Sequence, residues 1–214
     1  YADAIAVYKQ TMEYEQPSAE TFCSIGECYE KLEQMDESRA YYKKAVKIDP
    51  SLADAWFGIG VTLDYEERWY ESLHFYNKAI SLDATVSDYW FALADSHYKL
   101  GNFKEAESAY EKVIEITEND IEVWLDYSAI LYEQGKLQEA IDIIVEAIRA
   151  NPDAAELHYR MVAYLFSRGQ YQEAIQYLEI GLSISPEKHE VLFEYLPQLQ
   201  TNLTIQQIIQ RYLI

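Results

Sequence analysis

The chain has 214 residues, half of them apolar, and carries 37 acids against 17 bases for a net charge of −20. That is enough apolar material for a packed core, but a mean hydropathy of −0.29 and the lack of any long apolar run exclude a membrane span. The acidic excess also argues against nucleic-acid binding, because phosphate contact needs a basic footprint.

The acidity is spread along the chain and peaks in the middle, with eight acids against three bases in 87–120 and seven against two in 121–154. Its plain consequence is a soluble, self-repelling surface; its sharper one is a preference for basic partners. Two cysteines, Cys23 and Cys28, lie five residues apart and point in different directions on one helix, with no partner Cys or His pair. They read as free thiols, which fits a reducing, cytoplasmic compartment.

Taken in order, residues 1–18 read as the second helix of an interrupted unit. Tyr1, Ala4 and Tyr8 match the places held later by Tyr171, Ala174 and Leu178. The chain begins without Met and inside a unit, as a fragment of a longer protein would. Complete units of 34 residues then follow as 19–52, 53–86, 87–120, 121–154 and 155–188, with no insertion or deletion. The unit 121–154 shows the pattern best. Trp124, Tyr127, Ser128 and Leu131 share one face of a first helix, and Gly135 follows where the chain turns. Ala140, Ile144, Ala147 and Ile148 form the stripe of a second helix, and Pro152 ends the unit. A helix pair this short cannot bury its apolar stripes alone, so it needs neighbours. After Pro186 the pattern degenerates. Leu192, Tyr195 and Leu196 start a first helix that Pro197 interrupts, and Ile205, Ile208, Ile209 and Tyr212 resume a stripe. Residues 189–214 are therefore expected to cap the exposed end.

Position by position, the units resemble tetratricopeptide repeats. Position 4 holds Phe22, Trp56, Trp90, Trp124 and His158; position 8 holds Gly26, Gly60, Ala94, Ser128 and Val162. Position 20 holds Ser38, Ser72, Ala106, Ala140 and Ala174; position 24 holds Tyr42, Tyr76, Tyr110, Ile144 and Leu178. Ala45, Ala79, Val113, Ala147 and Gly181 hold position 27. The closing proline appears as Pro50, Pro152 and Pro186, with Ala84 and Glu118 in its place between. Val162 and His158 depart from the pattern, so the fifth unit is expected to pack differently. The resemblance implies an all-α, right-handed α-solenoid of stacked antiparallel helix pairs, and a protein-interaction scaffold rather than an enzyme.

No Gly-rich phosphate loop, nucleophile elbow, HExxH or paired-Cys motif occurs, so no catalytic residue, metal site or cofactor is assigned. His97 and His158 fall in core-facing slots and read as packing residues. The face opposite the core stripe carries the functional expectation, because in the resembling family it lines a concave groove that binds peptides or protein segments. Position 2 is acidic in all five units: Glu20, Asp54, Asp88, Glu122 and Glu156. Position 5 is mostly large and apolar, as Cys23, Phe57, Phe91, Leu125 and Tyr159. Glu27, Asp95, Asp126, Tyr98 and Tyr132 complete the candidate groove, with Glu30, Asp64 and Phe166 beside them. An acid in the first helical turn is also favoured by the helix dipole, at about 0.3–1 kcal/mol, with no ligand needed. Apolar strips rimmed by charge, however, usually mark binding surfaces.

The expected partner is thus a protein or peptide segment, basic or apolar, held by aromatic contacts and acid–base pairing. Two family variants do not fit. No unit has the position 5 Lys of chaperone adaptors that clamp a carboxylate, and position 6 reads Ser24, Gly58, Ala92, Asp126 and Arg160, not the Asn ladder of sugar-transfer enzymes. A structural spacer or self-associating module, and an accessory domain of an enzyme, stand as alternatives.

Overall fold

The computed structural model describes every residue except Glu15, Glu118 and Ile214. Glu118, one of the proline replacements, therefore lies outside the described residues. Among these residues the protein is all-α, in two compact units, 1–116 and 117–214.

In the first unit a leading helix α1 (Ala2–Thr11) is followed by α2 (Ala19–Glu30), α3 (Met35–Ile48), α4 (Ala53–Tyr65), α5 (Trp69–Leu82), α6 (Ser87–Lys99) and α7 (Phe103–Ile116). α2 packs on α3, α4 on α5 and α6 on α7, while α3–α4 and α5–α6 contacts join successive pairs. The second unit holds α8 (Ile121–Glu133), α9 (Leu137–Ala150), α10 (Ala155–Arg168) and α11 (Tyr171–Ile184), again packed as pairs. Two short 3-10 turns, Pro186–Glu190 and Pro197–Thr201, then flank α12 (Val191–Tyr195) and lead into α13 (Leu203–Tyr212). α12 packs on α10 and α13 on α11, which buries Leu192, Leu199, Ile205 and Ile209.

The apolar spacing explains the packing. Ile25, Ile59, Leu93, Tyr127 and Met161, at position 7 of the first helices, are all buried, as are Ala45, Ala79, Val113, Ala147 and Gly181 on the second helices. Between the helices of each pair the chain makes the same turn five times. Its residue with positive φ is Glu33, Glu67, Gly101, Gly135 and Gly169 in turn. In each case the next amide bonds a carbonyl five residues back, as Gln34 N–H does to Tyr29 O at 2.9 Å and Lys136 N–H to Leu131 O at 2.9 Å. This closes the helix end by satisfying a terminal carbonyl.

Position 4 does more than fill space. The indole N–H groups of Trp56 and Trp90 each donate to the carbonyl six residues back, Pro50 O and Ala84 O, both at 2.9 Å. His158 Nε2 lies 3.0 Å from Pro152 O. The imidazole thus reproduces the indole's link to the preceding loop, and His158 is buried against Tyr177.

Candidate functional site

Each unit presents its part of the candidate face on its first helices. At 100° per residue, positions 2, 5, 9 and 12 lie away from the core stripe, and the two apolar anchors in the first unit are Phe57 on α4 and Phe91 on α6. Both are half-buried. Phe57 rests on Tyr89 at 4.9 Å between ring centroids and on Tyr76 at 5.6 Å; Phe91 meets Tyr110 edge-on at 5.8 Å. These three tyrosines are buried, so each Phe stands on a fixed aromatic floor and keeps part of its ring toward solvent.

The surrounding acids divide into two groups. Asp95 and Asp64 share Lys99, whose Nζ lies 2.7 Å from Asp95 and 3.4 Å from Asp64. Ser96 Oγ also donates to Asp64 at 2.9 Å and touches Ser72 Oγ at 3.1 Å. Partial burial opposes the Lys99 charge, but the hydrogen bond and attraction to Asp95 outweigh it and raise the ammonium pKa. Asp54 accepts a hydrogen bond from the Tyr89 hydroxyl. Burial first, and then that carboxylate, push the Tyr89 phenol well above its ordinary range. Glu20, Glu27 and Asp88 are exposed, Glu27 with the Cys23 thiol 3.7 Å away. Tyr98 is half-buried, its ring 5.9 Å from Phe103.

In the second unit Glu122 and Asp126 are exposed and Leu125 is half-buried. Tyr132 stacks on Tyr164 at 5.1 Å, its hydroxyl 3.1 Å from Ser167 Oγ. Glu156 is held by Lys188 at 2.5 Å, and although burial opposes ionisation that bond keeps its carboxyl below the usual range.

Two expected groove residues do not reach solvent. Cys23 is 5% exposed, packed with Phe22, Tyr42 and Ile59, and burial pushes its thiol up to about 12. Tyr159 is 0% exposed, and its hydroxyl donates to Ser185 O at 2.9 Å. Gly181 leaves the room it occupies, since a Cβ there would lie 2.9 Å from the Tyr159 ring. Both therefore belong to the core and not to a groove wall. Sequence reasoning also missed Lys99, although Asp95 and Lys99 stand at the i, i+4 spacing of a helical ion pair.

Family profiles for the tetratricopeptide repeat match residues 19–52, 87–120 and 131–192, together more than half of the chain. The chain belongs to the tetratricopeptide-repeat family. No curated protein sequence matches it. Among solved structures it is similar to YrrB, described as a TPR protein with an unusual peptide-binding site. That likeness has a TM-score of 0.65 and 21% identity, over 87% of this chain and 96% of that one. It is also similar to MamA, with a TM-score of 0.67 and 17% identity over 80% of this chain and 94% of that one. A second MamA structure gives 0.66 and 18%, over 78% and 97%. At these identities the likeness is one of fold, the helical solenoid class. Tetratricopeptide repeats are scaffolds for protein–protein interaction and are typically non-catalytic. No described helix is long and apolar enough to cross a membrane.

Proposed function

We propose that this repeat protein is a non-catalytic scaffold whose first-helix faces bind an extended segment of a partner protein, anchored by apolar side chains. The observation that carries this reading is the pair Phe57 and Phe91, half-buried on helices of successive pairs and supported from below by buried tyrosines. Rigid, partly desolvated aromatics are the usual source of interface affinity. The acids contribute selection. Asp88 is exposed and favours Lys or Arg in the ligand, whereas Asp95 already has Lys99 and contributes less. YrrB, with its peptide-binding site, shares the fold and is consistent with this reading.

Panning a displayed random-peptide library on the immobilised chain tests it. Selected peptides should be rich in Leu and aromatic residues with flanking Lys or Arg. Phe57→Ala combined with Phe91→Ala should abolish their capture while circular dichroism stays helical. Asp88→Asn should cost no more than about 1 kcal/mol, and mainly at low salt. Undiminished capture by the double Phe variant would remove these faces from consideration.

A further inference from the structure

Although the chain is acidic overall, residues 39–47 hold four bases and no acid. One of the four, Arg39, is buried and committed: its Nη1 donates to Glu66 at 3.0 Å and its Nη2 reaches Asp36 at 3.3 Å. The other three, Lys43, Lys44 and Lys47, are exposed on the outer face of α3. Lys9 joins them from α1. Its ammonium donates to the Tyr29 hydroxyl at 2.7 Å and lies 5.3 Å from that ring and 5.9 Å from the ring of Tyr41. Lys44 sits 4.0 Å from the Tyr41 ring and 5.6 Å from that of Phe22. Tyr29 and Tyr41 stack on each other at 5.4 Å. Two ammonium groups from different helices are thus held over one ring, and among the described residues no carboxylate comes within 4.0 Å of any of the four lysines.

A cation in a last helical turn is favoured by the helix dipole, which accounts for Lys47 on α3 and Lys9 on α1. It does not account for Lys44, nor for the approach of its ammonium and that of Lys9 to the one ring of Tyr41. We propose that Lys9, Lys43, Lys44 and Lys47 form a second docking surface, for a short segment of a partner protein rich in Asp and Glu. On α2, Phe22 and Tyr29 point to the side opposite Glu20 and Glu27, so this surface is separate from the first-helix face and independent of what binds there. Charge complementarity selects the occupant. Three ammonium groups within five residues of α3, joined by Lys9 of α1 at the Tyr41 ring, match two or three neighbouring carboxylates, a smaller footprint than nucleic acid requires. The Tyr29 and Tyr41 rings are engaged with each other and with the ammonium groups, which leaves no open platform for stacking bases. The aromatics hold the cations in place beforehand, so less side-chain freedom is lost on binding.

The test uses the full chain and a fluorescein-labelled peptide of alternating Asp and Glu, followed by fluorescence anisotropy. The rest of the molecule repels such a peptide, so binding reports a local surface. The peptide should bind at about 20 mM salt and be released by about 300 mM. Lys9→Gln, Lys43→Gln, Lys44→Gln and Lys47→Gln together should weaken it by about tenfold or more. The corresponding Lys→Arg set should retain binding, as should Lys78→Gln with Lys104→Gln, which removes the same type of charge elsewhere. Circular dichroism confirms that each variant is folded. No binding by the parent at low salt, equal binding by the Gln set, or tighter binding of a single-stranded oligonucleotide of matched charge would each overturn the proposal.

Discussion

The first helix pairs and the last one solve the same packing problem with the roles of their helices exchanged. In α3, α5 and α7 the second helix supplies a buried tyrosine, Tyr42, Tyr76 or Tyr110, and the facing first helices make room with small residues. Gly26 and Gly58 lie against the Tyr42 ring, and Gly60 lies against Tyr76. In the α10–α11 pair the tyrosine comes from the first helix, as Tyr159, and the glycine, Gly181, is on the second. Tyr164 of the same helix is also buried and donates to Ser128 Oγ at 3.0 Å. What the α2–α3, α4–α5 and α10–α11 pairs share is a large ring set against a glycine, from whichever helix each comes, as close packing between helices requires. A large aromatic at position 5 therefore has two fates. It stays partly open where the second helix already carries the tyrosine, as Phe57 and Phe91 do, and it sinks where glycine leaves a hole, as Tyr159 does.

Filling those holes should have the largest effect on stability. A Cβ on Gly58 would come within 2.2 Å of the Tyr42 ring, which Gly26 confines from another side. Gly58→Ala should cost about 3 kcal/mol in denaturant unfolding, at the upper end of overpacking effects. Gly181→Ala meets Tyr159 at 2.9 Å and should cost about 1–2 kcal/mol. Adding Tyr42→Leu to the first, or Tyr159→Leu to the second, should recover part of the loss, because each pair shares one volume. If the double variants are simply additive, the tyrosines and glycines are not coupled.

Helices and their buried stripes were legible because the signal is local: Trp124, Tyr127 and Leu131 repeat at the helical period, and all three are buried. The depth of a single position was not. Tyr159 and Phe57 look alike in sequence, and what separates them is the residue facing each from another helix. The acids show the same limit. Asp54 meets Tyr89 from the next helix pair, and Glu156 meets Lys188 from beyond α11, so neither partner lies within a helical turn. Asp95 with Lys99 was within reach of sequence reasoning. The turns hid a third feature, since Gly135 signals a positive φ and Glu33 gives no such sign.

A second contrast concerns charge. In the first unit Arg39 is buried and held by Glu66, whereas the buried polar side chain of α10 is the imidazole of His158, 3.0 Å from Pro152 O. Glu66→Gln leaves the buried guanidinium short of charge and should cost about 1–3 kcal/mol. The hydrogen bond from Arg39, aided by Arg68, holds the Glu66 carboxyl below the usual range. A carboxylate with a lowered folded pKa stabilises the protein above its unfolded pKa, and that contribution fades as pH falls through the folded value. Stability of the parent should therefore drop through the acid range more steeply than that of Glu66→Gln. Parallel acid limbs in urea titrations at stepped pH would show that the pair contributes nothing.

The smallest effect concerns the five equivalent turns, where the residue with positive φ is Glu in two and Gly in three. Glu33 and Glu67 adopt φ of 57° and 59°, and Gly101, Gly135 and Gly169 adopt 76°, 76° and 83°. The hydrogen bonds are shared: Arg68 N–H reaches Leu63 O at 2.9 Å, as Gln170 N–H reaches Leu165 O at 2.9 Å. An L-residue pays about 1–2 kcal/mol in the left-handed region, and glycine instead pays about 0.5–1 kcal/mol in chain entropy. Glu33→Gly and Glu67→Gly should thus each gain about 0.5–1 kcal/mol. The reverse change isolates the backbone, since a Cβ on Gly101, Gly135 or Gly169 would meet nothing within 4 Å. Gly135→Ala should therefore lose about 1 kcal/mol with no steric contribution. In thermal melts of a chain this size, each kcal/mol corresponds to about 2–4 °C. A gain from both Glu→Gly changes, matched by a loss from Gly135→Ala, would mean that the first two turns keep their helix ends closed at the expense of backbone strain. No change from Glu33→Gly would mean that the Glu side chain returns in local contacts what its backbone loses.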